Sequence, residues 1–158
     1  MADRESIKVV ADNRKAFHDY HIIERFETGI VLTGTEVKSI RAGKINLKDS
    51  YASVQNGEMW LIGTHVSPYE QGNRSNKDPL RHRKLLLHKN EILRLFLQVK
   101  QEGLTIVPLK CYFKRGRVKI EIALVKGKHT YDKREALSKR ESQRDIERVM
   151  KNRAKDAQ

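Results

Sequence analysis

Regular apolar patterning stops at Val125, and that break limits what the chain can build. Val118, Ile120, Ile122 and Leu124 alternate with Arg117, Lys119, Glu121 and Ala123, the period of two of a strand with one buried face. Beyond Gly127-Lys128-His129-Thr130-Tyr131-Asp132-Lys133-Arg134 the apolar residues thin to Ala136, Leu137, Ile146, Val149 and Met150, with no continuous stripe to pack on a core. A core must therefore come from residues 1–126, a body of one-domain size, with residues 127–158 as an appended tail. The tail has good helix formers and opposite charges four apart in Glu135/Lys139 and Glu147/Lys151. Isolated helices of this kind are marginal in water, so the pattern predicts a segment disordered when free and helical along a partner.

Charge says what the partner is made of. From Lys126 onward there are 11 Lys/Arg against 6 Asp/Glu, part of a formal net charge of +13, so body and tail are both cationic. A chain with pI near 10.0 is drawn to polyanions, nucleic acid first and an acidic membrane surface second. No run approaches the roughly 18 apolar residues of a membrane span, and the N-terminus lacks the apolar stretch of a secretory signal. These features predict a cytoplasmic protein. Cys111 is alone, which removes an intramolecular disulfide or a thiolate zinc cage and leaves it as a small core residue.

Taken in order, Ile7, Val9 and Val10 read as a loose strand or lead-in, and Asn13-Arg14-Lys15-Ala16 as a basic corner, solvated on the residues alone. Tyr20 to Phe26 and Ile30 to Leu32 read as two strands turning at Glu27-Thr28-Gly29. Gly34 to Gly43 reads as a short helix capped by Thr35 and ended by Gly43, decorated by Glu36, Lys38 and Arg41. Asn56-Gly57 predicts a tight hairpin between Tyr51–Gln55 and Met59–Val66, with Trp60 and Leu61 on opposite faces. Ser67 to Leu80 has the composition of a surface loop, followed by the basic run Arg81-His82-Arg83-Lys84. Ile92, Leu95, Phe96 and Val99 predict a helix over 90–101, widened by Leu93 and Leu97, capped by His88 or Asn90 and closed by Gly103. Leu104–Lys114 and Arg117–Val125 form a last strand pair around Arg115-Gly116, with Lys119 outward and Pro108 marking an edge or bulge. The sum is a mainly β body with helices: a small OB-like antiparallel β-barrel with flanking helices and a basic C-terminal tail, a sandwich being the alternative.

Chemistry is sparse. His18-x-x-His21 is a weak metal pair, there is no phosphate-binding glycine loop or nucleophile elbow, and the scattered carboxylates Glu36 and Asp49 read as helix-start and turn residues. No catalytic residue and no cofactor is expected. Basic residues interleaved with His82, Tyr112, Phe113 and Tyr131 suit phosphates and exposed bases. On composition alone a generic ribosomal protein or RNA chaperone would serve equally well, and an RNA-processing enzyme is a third class.

Ordered motifs narrow this. Asn13-Arg14-Lys15-Ala16, Gly29-Ile30-Val31-Leu32-Thr33-Gly34-Thr35-Glu36-Val37-Lys38-Ser39, Asp49-Ser50-Tyr51, Asp78-Pro79-Leu80-Arg81, Arg83-Lys84-Leu85-Leu86-Leu87 and Gly127-Lys128 through Asp132-Lys133-Arg134 resemble the SmpB family of SsrA-binding proteins along nearly the whole chain. The resemblance implies an OB-like barrel that holds the tRNA-like part of transfer-messenger RNA, with RNA-contact positions at Glu36, Leu86, His88 and Lys119. Arg14, Lys15, Lys38 and Arg41 join them as basic residues of the matching motifs or the adjoining helix. It also implies that the tail enters the decoding centre and vacant mRNA channel of a stalled 70S ribosome. There Tyr131 would stack on small-subunit ribosomal RNA, and Asp132-Lys133-Arg134 would begin a helix. Lys139, Arg140, Arg144, Arg148 and Lys151 would meet phosphates. Alanyl-tRNA synthetase and elongation factor Tu would act through the charged RNA; no membrane is implied, and a monomer is expected. His88, Tyr131 and Ser142 stand where relatives carry Asn, His and an aromatic residue.

Overall fold

The structure, a computed structural model, describes residues 6–70 and 76–128. The chain divides into one unit over Met1–Lys126 and another over Gly127–Gln158, and the predicted tail contacts from Tyr131 to Lys151 lie outside the described residues. The body runs β1 (Ile7–Asp12), α1 (Arg14–Asp19), β2 (Tyr20–Ile30), α2 (Gly34–Arg41), β3 (Ile45–Asn46), β4 (Tyr51–Gln55), β5 (Glu58–Ile62), β6 (His65–Val66), β7 (Arg83–Leu86), α3 (Lys89–Glu102), β8 (Thr105–Lys114) and β9 (Arg117–Gly127). Seven strands form a sheet in the order β1-β8-β4-β5-β7-β2-β9, and β9 also pairs with β8. The pairing therefore runs from β8 round to β9 and back to β8, leaving β1 outside the ring and β3-β6 as a separate two-stranded sheet. The mainly β, antiparallel expectation holds, and the sandwich is set aside.

Local chemistry explains most of the boundaries. Asn56 and Gly57 both take positive φ (53° and 75°), which turns β4 back on β5 as the hairpin expectation required, with Val54 opposite Met59. Leu61 is buried while Trp60, on the other face, is only partly covered. Pro108, which has no N–H to give the ladder, sits at a register shift in the β8–β9 pairing, so the bulge reading is the right one. Gly103 closes α3 in the left-handed region, and Ile92 and Leu95 enter the core, but Leu93 and Leu97 stay 56% and 42% exposed. His88 is the N-cap residue of α3, without a side-chain capping bond.

Five expectations change. Tyr20–Ile30 is one continuous strand instead of a hairpin: Thr28 is buried with its hydroxyl donating to the Ile120 carbonyl at 2.8 Å, and Gly29 pairs with Leu86. Arg14 and Lys15 open a helix, not a loop, because Asn13 accepts from the Ala16 N–H at 3.3 Å and caps it. α2 is capped by Thr33, two residues earlier than Thr35, in a reciprocal box with Glu36. The strand expected from Met59 to Val66 breaks into β5 and β6 at Gly63, whose φ of 85° no regular strand adopts. Finally, β9 is buried on both faces towards its end. Ala16 packs with Val107, Leu109, Ala123 and Val125 in a second small core, while Ile120, Ile122 and Leu124 belong to the main one.

Asn13 ties these layers together. Its Nδ2 donates to the carbonyls of Pro108 (2.9 Å) and Leu47 (3.3 Å), and its own N–H donates to Leu109 at 2.8 Å. Asn13→Ala should cost about 2–3 kcal/mol, since it removes a cap and leaves buried acceptors without donors. Asn13→Asp keeps the cap acceptor and should still lose the two carbonyl contacts. Urea unfolding of both variants checks this, and wild-type stability in either would remove Asn13 from the account.

Candidate nucleic-acid interface

The last part of β7 and the first part of β9 approach each other across β2, because β2 pairs with both. Leu86 leaves β7 with its side chain 51% exposed, held opposite Gly29. A Cβ at Gly29 would lie 3.3 Å from Leu86 Cδ1, so the glycine is there to let that side chain lie across the strand. Lys119 projects from β9 into the same groove, of about 290 Å³, which is also lined by Ile30 at the end of β2, Leu32 beyond it and Val37 of α2. An exposed apolar side chain beside a cation in an open groove suits a sugar or base next to a phosphate.

α2 and β7 also carry a network of buried charge. Glu36 is 4% and Arg83 1% exposed. Glu36 Oε2 accepts from Arg83 Nε at 2.5 Å, and Oε1 accepts from Arg81 Nη2 at 2.6 Å and from the Thr33 N–H at 2.9 Å. Arg83 spends its other nitrogens on the carbonyls of Thr64 and Pro79. Burial alone would push the Glu36 carboxyl up, but the hydrogen bonds from Arg81, Thr33 and Arg83 outweigh it and hold it down at about 2. Glu36 thus does not decorate α2: both its oxygens are engaged inside the protein. On the far side of β8, Glu27 accepts from the Tyr112 hydroxyl and from Lys114; these hydrogen bonds, the Tyr112 bond foremost, lower its carboxyl pKa.

The structure brings Leu86 and Lys119 together in one groove, and the other expected contacts lie outside its lining. His88 is exposed two residues beyond β7. Lys38 lies over the Tyr69 ring at 5.5 Å, and Arg41 over Phe113 at 5.4 Å. Arg14 and Lys15 sit on α1 with Lys15 paired to Asp49 at 2.9 Å, in a pocket that also includes Tyr20 and Tyr51 and none of the groove residues. His18 hydrogen-bonds Asp19 at 3.0 Å from α1, while His21 belongs to β2. Gly29, Arg81 and Arg83 were not singled out as site residues; the signal for Gly29 was a glycine inside an otherwise apolar strand pattern, and for the arginines a basic run entering Leu85-Leu86-Leu87.

A family model described as SmpB protein matches residues 10–152. The chain belongs to the SmpB family. It is 59% identical over 146 residues to the SsrA-binding protein of Carboxydothermus hydrogenoformans, covering 92% of this chain and 98% of that protein. It is 61% identical over 148 residues to the SsrA-binding protein of Acetivibrio thermocellus, covering 94% of this chain and 96% of the relative. Among solved structures it is similar to one described as "tmRNA-SmpB: a journey to the center of the bacterial ribosome", with a TM-score of 0.65 and 52% identity, over 78% of this chain and 87% of that one. The SmpB match extends beyond the body into the tail, so the tail motifs belong to the family pattern as well. Among the described residues of this SmpB-family chain, no helix is long and apolar enough to cross a membrane.

Proposed function

We propose that the chain binds transfer-messenger RNA and acts with it in trans-translation on stalled ribosomes. The observation that carries this reading is the groove in which Leu86 from β7 and Lys119 from β9 face solvent together, in a member of the SmpB family. In this reading Lys119 neutralises a phosphate, Leu86 packs on a sugar or base, and His88 supplies a ring and a donor at the rim. Lys38 and Arg41 extend the positive surface along α2, and Arg14 and Lys15 form a separate cationic corner. Glu36 contributes by holding Arg81 and Arg83. The body, residues 1–126, holds the RNA; the tail, residues 127–158, occupies the decoding centre and mRNA channel of a ribosome that has no codon there. Elongation factor Tu and alanyl-tRNA synthetase act through the RNA, and the chain itself is an adaptor rather than an enzyme.

The test is binding of labelled transfer-messenger RNA at physiological salt in excess bulk tRNA. Retained affinity in the nanomolar range of specific nucleic-acid complexes is expected. Loss to the competitor would leave a basic body without a specific target. Lys119→Ala should weaken binding roughly tenfold, the effect of one charge-assisted contact worth about 1–2 kcal/mol, with unfolding unchanged because Lys119 is outside the core. Unaltered affinity would remove Lys119 from the site.

A further inference from the structure

We propose that Gly29 is a positioning residue for RNA binding, whose missing side chain sets Leu86 in its place beside Lys119. This inference rests on the RNA-binding reading above and deepens it: a strand that contributes no contact side chain at this point controls one that does.

The backbone does not require glycine here. Gly29 is a residue of β2 outside the positive-φ region, so an L side chain could adopt its conformation. Glycine also weakens a strand interior, because it has more conformational freedom to lose than alanine and nothing to pack. A residue that weakens its own strand needs another reason to stand there, and the space around it supplies one.

A Cβ on Gly29 would have three nearest neighbours, all from Leu86: Cδ1 at 3.3 Å, Cβ at 3.4 Å and Cγ at 3.7 Å. The first approach is tight, so one of the two strands must give. β2 is held on both sides. Gly29 and Ile30 pair with Leu86 and Leu85 of β7, and the buried Thr28 hydroxyl donates to the Ile120 carbonyl of β9 at 2.8 Å. The β7 backbone is held as well, since Leu85 is buried in the core next to Leu86. What can move is the half-exposed end of Leu86, towards solvent and off the floor of the groove. Ile120 directly follows Lys119, so the Thr28 bond also fixes the backbone that carries the cation. Two consecutive residues of β2 thus set both sides of the groove: Thr28 anchors the lysine strand, and Gly29 admits the leucine.

Stability and binding should therefore respond to a side chain at Gly29 in opposite directions. The experiment follows the full chain by melting temperature and by binding of labelled transfer-messenger RNA across a salt series, with excess bulk tRNA present. Gly29→Ala should melt at or above the wild-type temperature yet bind roughly fivefold more weakly, part of what losing a buried leucine contact costs. The slope of log affinity against log salt should stay at the wild-type value, because an apolar contact is displaced and no phosphate contact is lost. In a Leu86→Ala background the same substitution should change affinity by less than about twofold, since the atoms it displaces are gone. Wild-type affinity in Gly29→Ala overturns the inference, as does an equal loss in both backgrounds, which would place the effect in the strand. Early melting overturns it because β2 would then have given way, and a shallower slope because Lys119 would have moved instead. A wild-type chain that surrenders its RNA to bulk tRNA, or a Leu86→Ala chain that binds as tightly as the wild type, removes the reading underneath, an outcome distinct from failure at Gly29 alone.

Discussion

Glu36→Ala should lower the unfolding free energy of the body by about 3–5 kcal/mol, a large share of the margin by which a domain of this size is folded. The cause is what is left behind. Arg83 is almost wholly inaccessible, and its Nε would face an empty site where a carboxylate oxygen stood at 2.5 Å. Arg81 would lose its 2.6 Å partner, and its buried Nε already has none among the described contacts. The α2 N-terminus would also lose one half of its capping box. Removing both charges should cost less than removing one, so Glu36→Gln combined with Arg83→Met should recover part of the loss.

Acid should reveal the same network without mutation. The Glu36 carboxyl is held at about 2 against 4.5 for an ordinary glutamate, a depressed value. Its stabilisation is therefore complete above about pH 4.5 and is lost as pH falls from there towards 2, amounting to about 3 kcal/mol. Urea titrations at pH 7, 4 and 2.5 should show this decline in the wild type and a flatter profile in Glu36→Gln. Matching profiles would show that the carboxyl does not titrate in that window, and an unchanged midpoint in Glu36→Ala would contradict the network itself.

This cluster also marks where reading the sequence reaches its end. The Asn56-Gly57 turn, the apolar stripe of α3, the Arg115-Gly116 hairpin and the bulge at Pro108 were all legible, because each depends on neighbours within a few residues. Glu36 looked like a surface charge on a short helix. Its partners Arg81 and Arg83 are 45 and 47 residues away in the chain, and no local pattern announces them. β7 was hidden for the same reason: a strand that begins with a buried arginine reads as a basic loop until its carboxylate is found. Gly29 looked like a turn because glycine usually serves that purpose, whereas here it makes room for a side chain from another strand. α1 was missed because its cap, Asn13, draws its worth from carbonyls of Leu47 and Pro108. The groove followed the same division. The family resemblance supplied Leu86 and Lys119 individually, and only the pairing of β2 with both β7 and β9 makes them neighbours.

Deleting residues 133–158 should abolish peptide tagging on stalled ribosomes while leaving transfer-messenger RNA binding within about tenfold of the full chain. The expected split follows from where the two kinds of residue lie. Leu86 and Lys119, with their supports Gly29, Glu36 and Arg83, all belong to the body, and none is removed by the deletion. The deleted stretch carries Lys133, Arg134, Lys139, Arg140, Arg144, Arg148 and Lys151, cations without an apolar stripe to build a core of their own. Their loss should lower affinity for any RNA by the non-specific term alone, so binding to bulk tRNA should fall at least as much as binding to transfer-messenger RNA, and both differences should shrink as salt rises. A reconstituted translation reaction stalled on an mRNA without a stop codon measures the other half. The truncated chain should carry its RNA yet give tagging at background, and adding more truncated chain should not restore it, because the missing step is engagement of the ribosome rather than occupancy of the RNA. Tagging at the full-length rate would place ribosome engagement in the body, and loss of specific RNA binding would mean that the groove of Leu86 and Lys119 is only half of the RNA site.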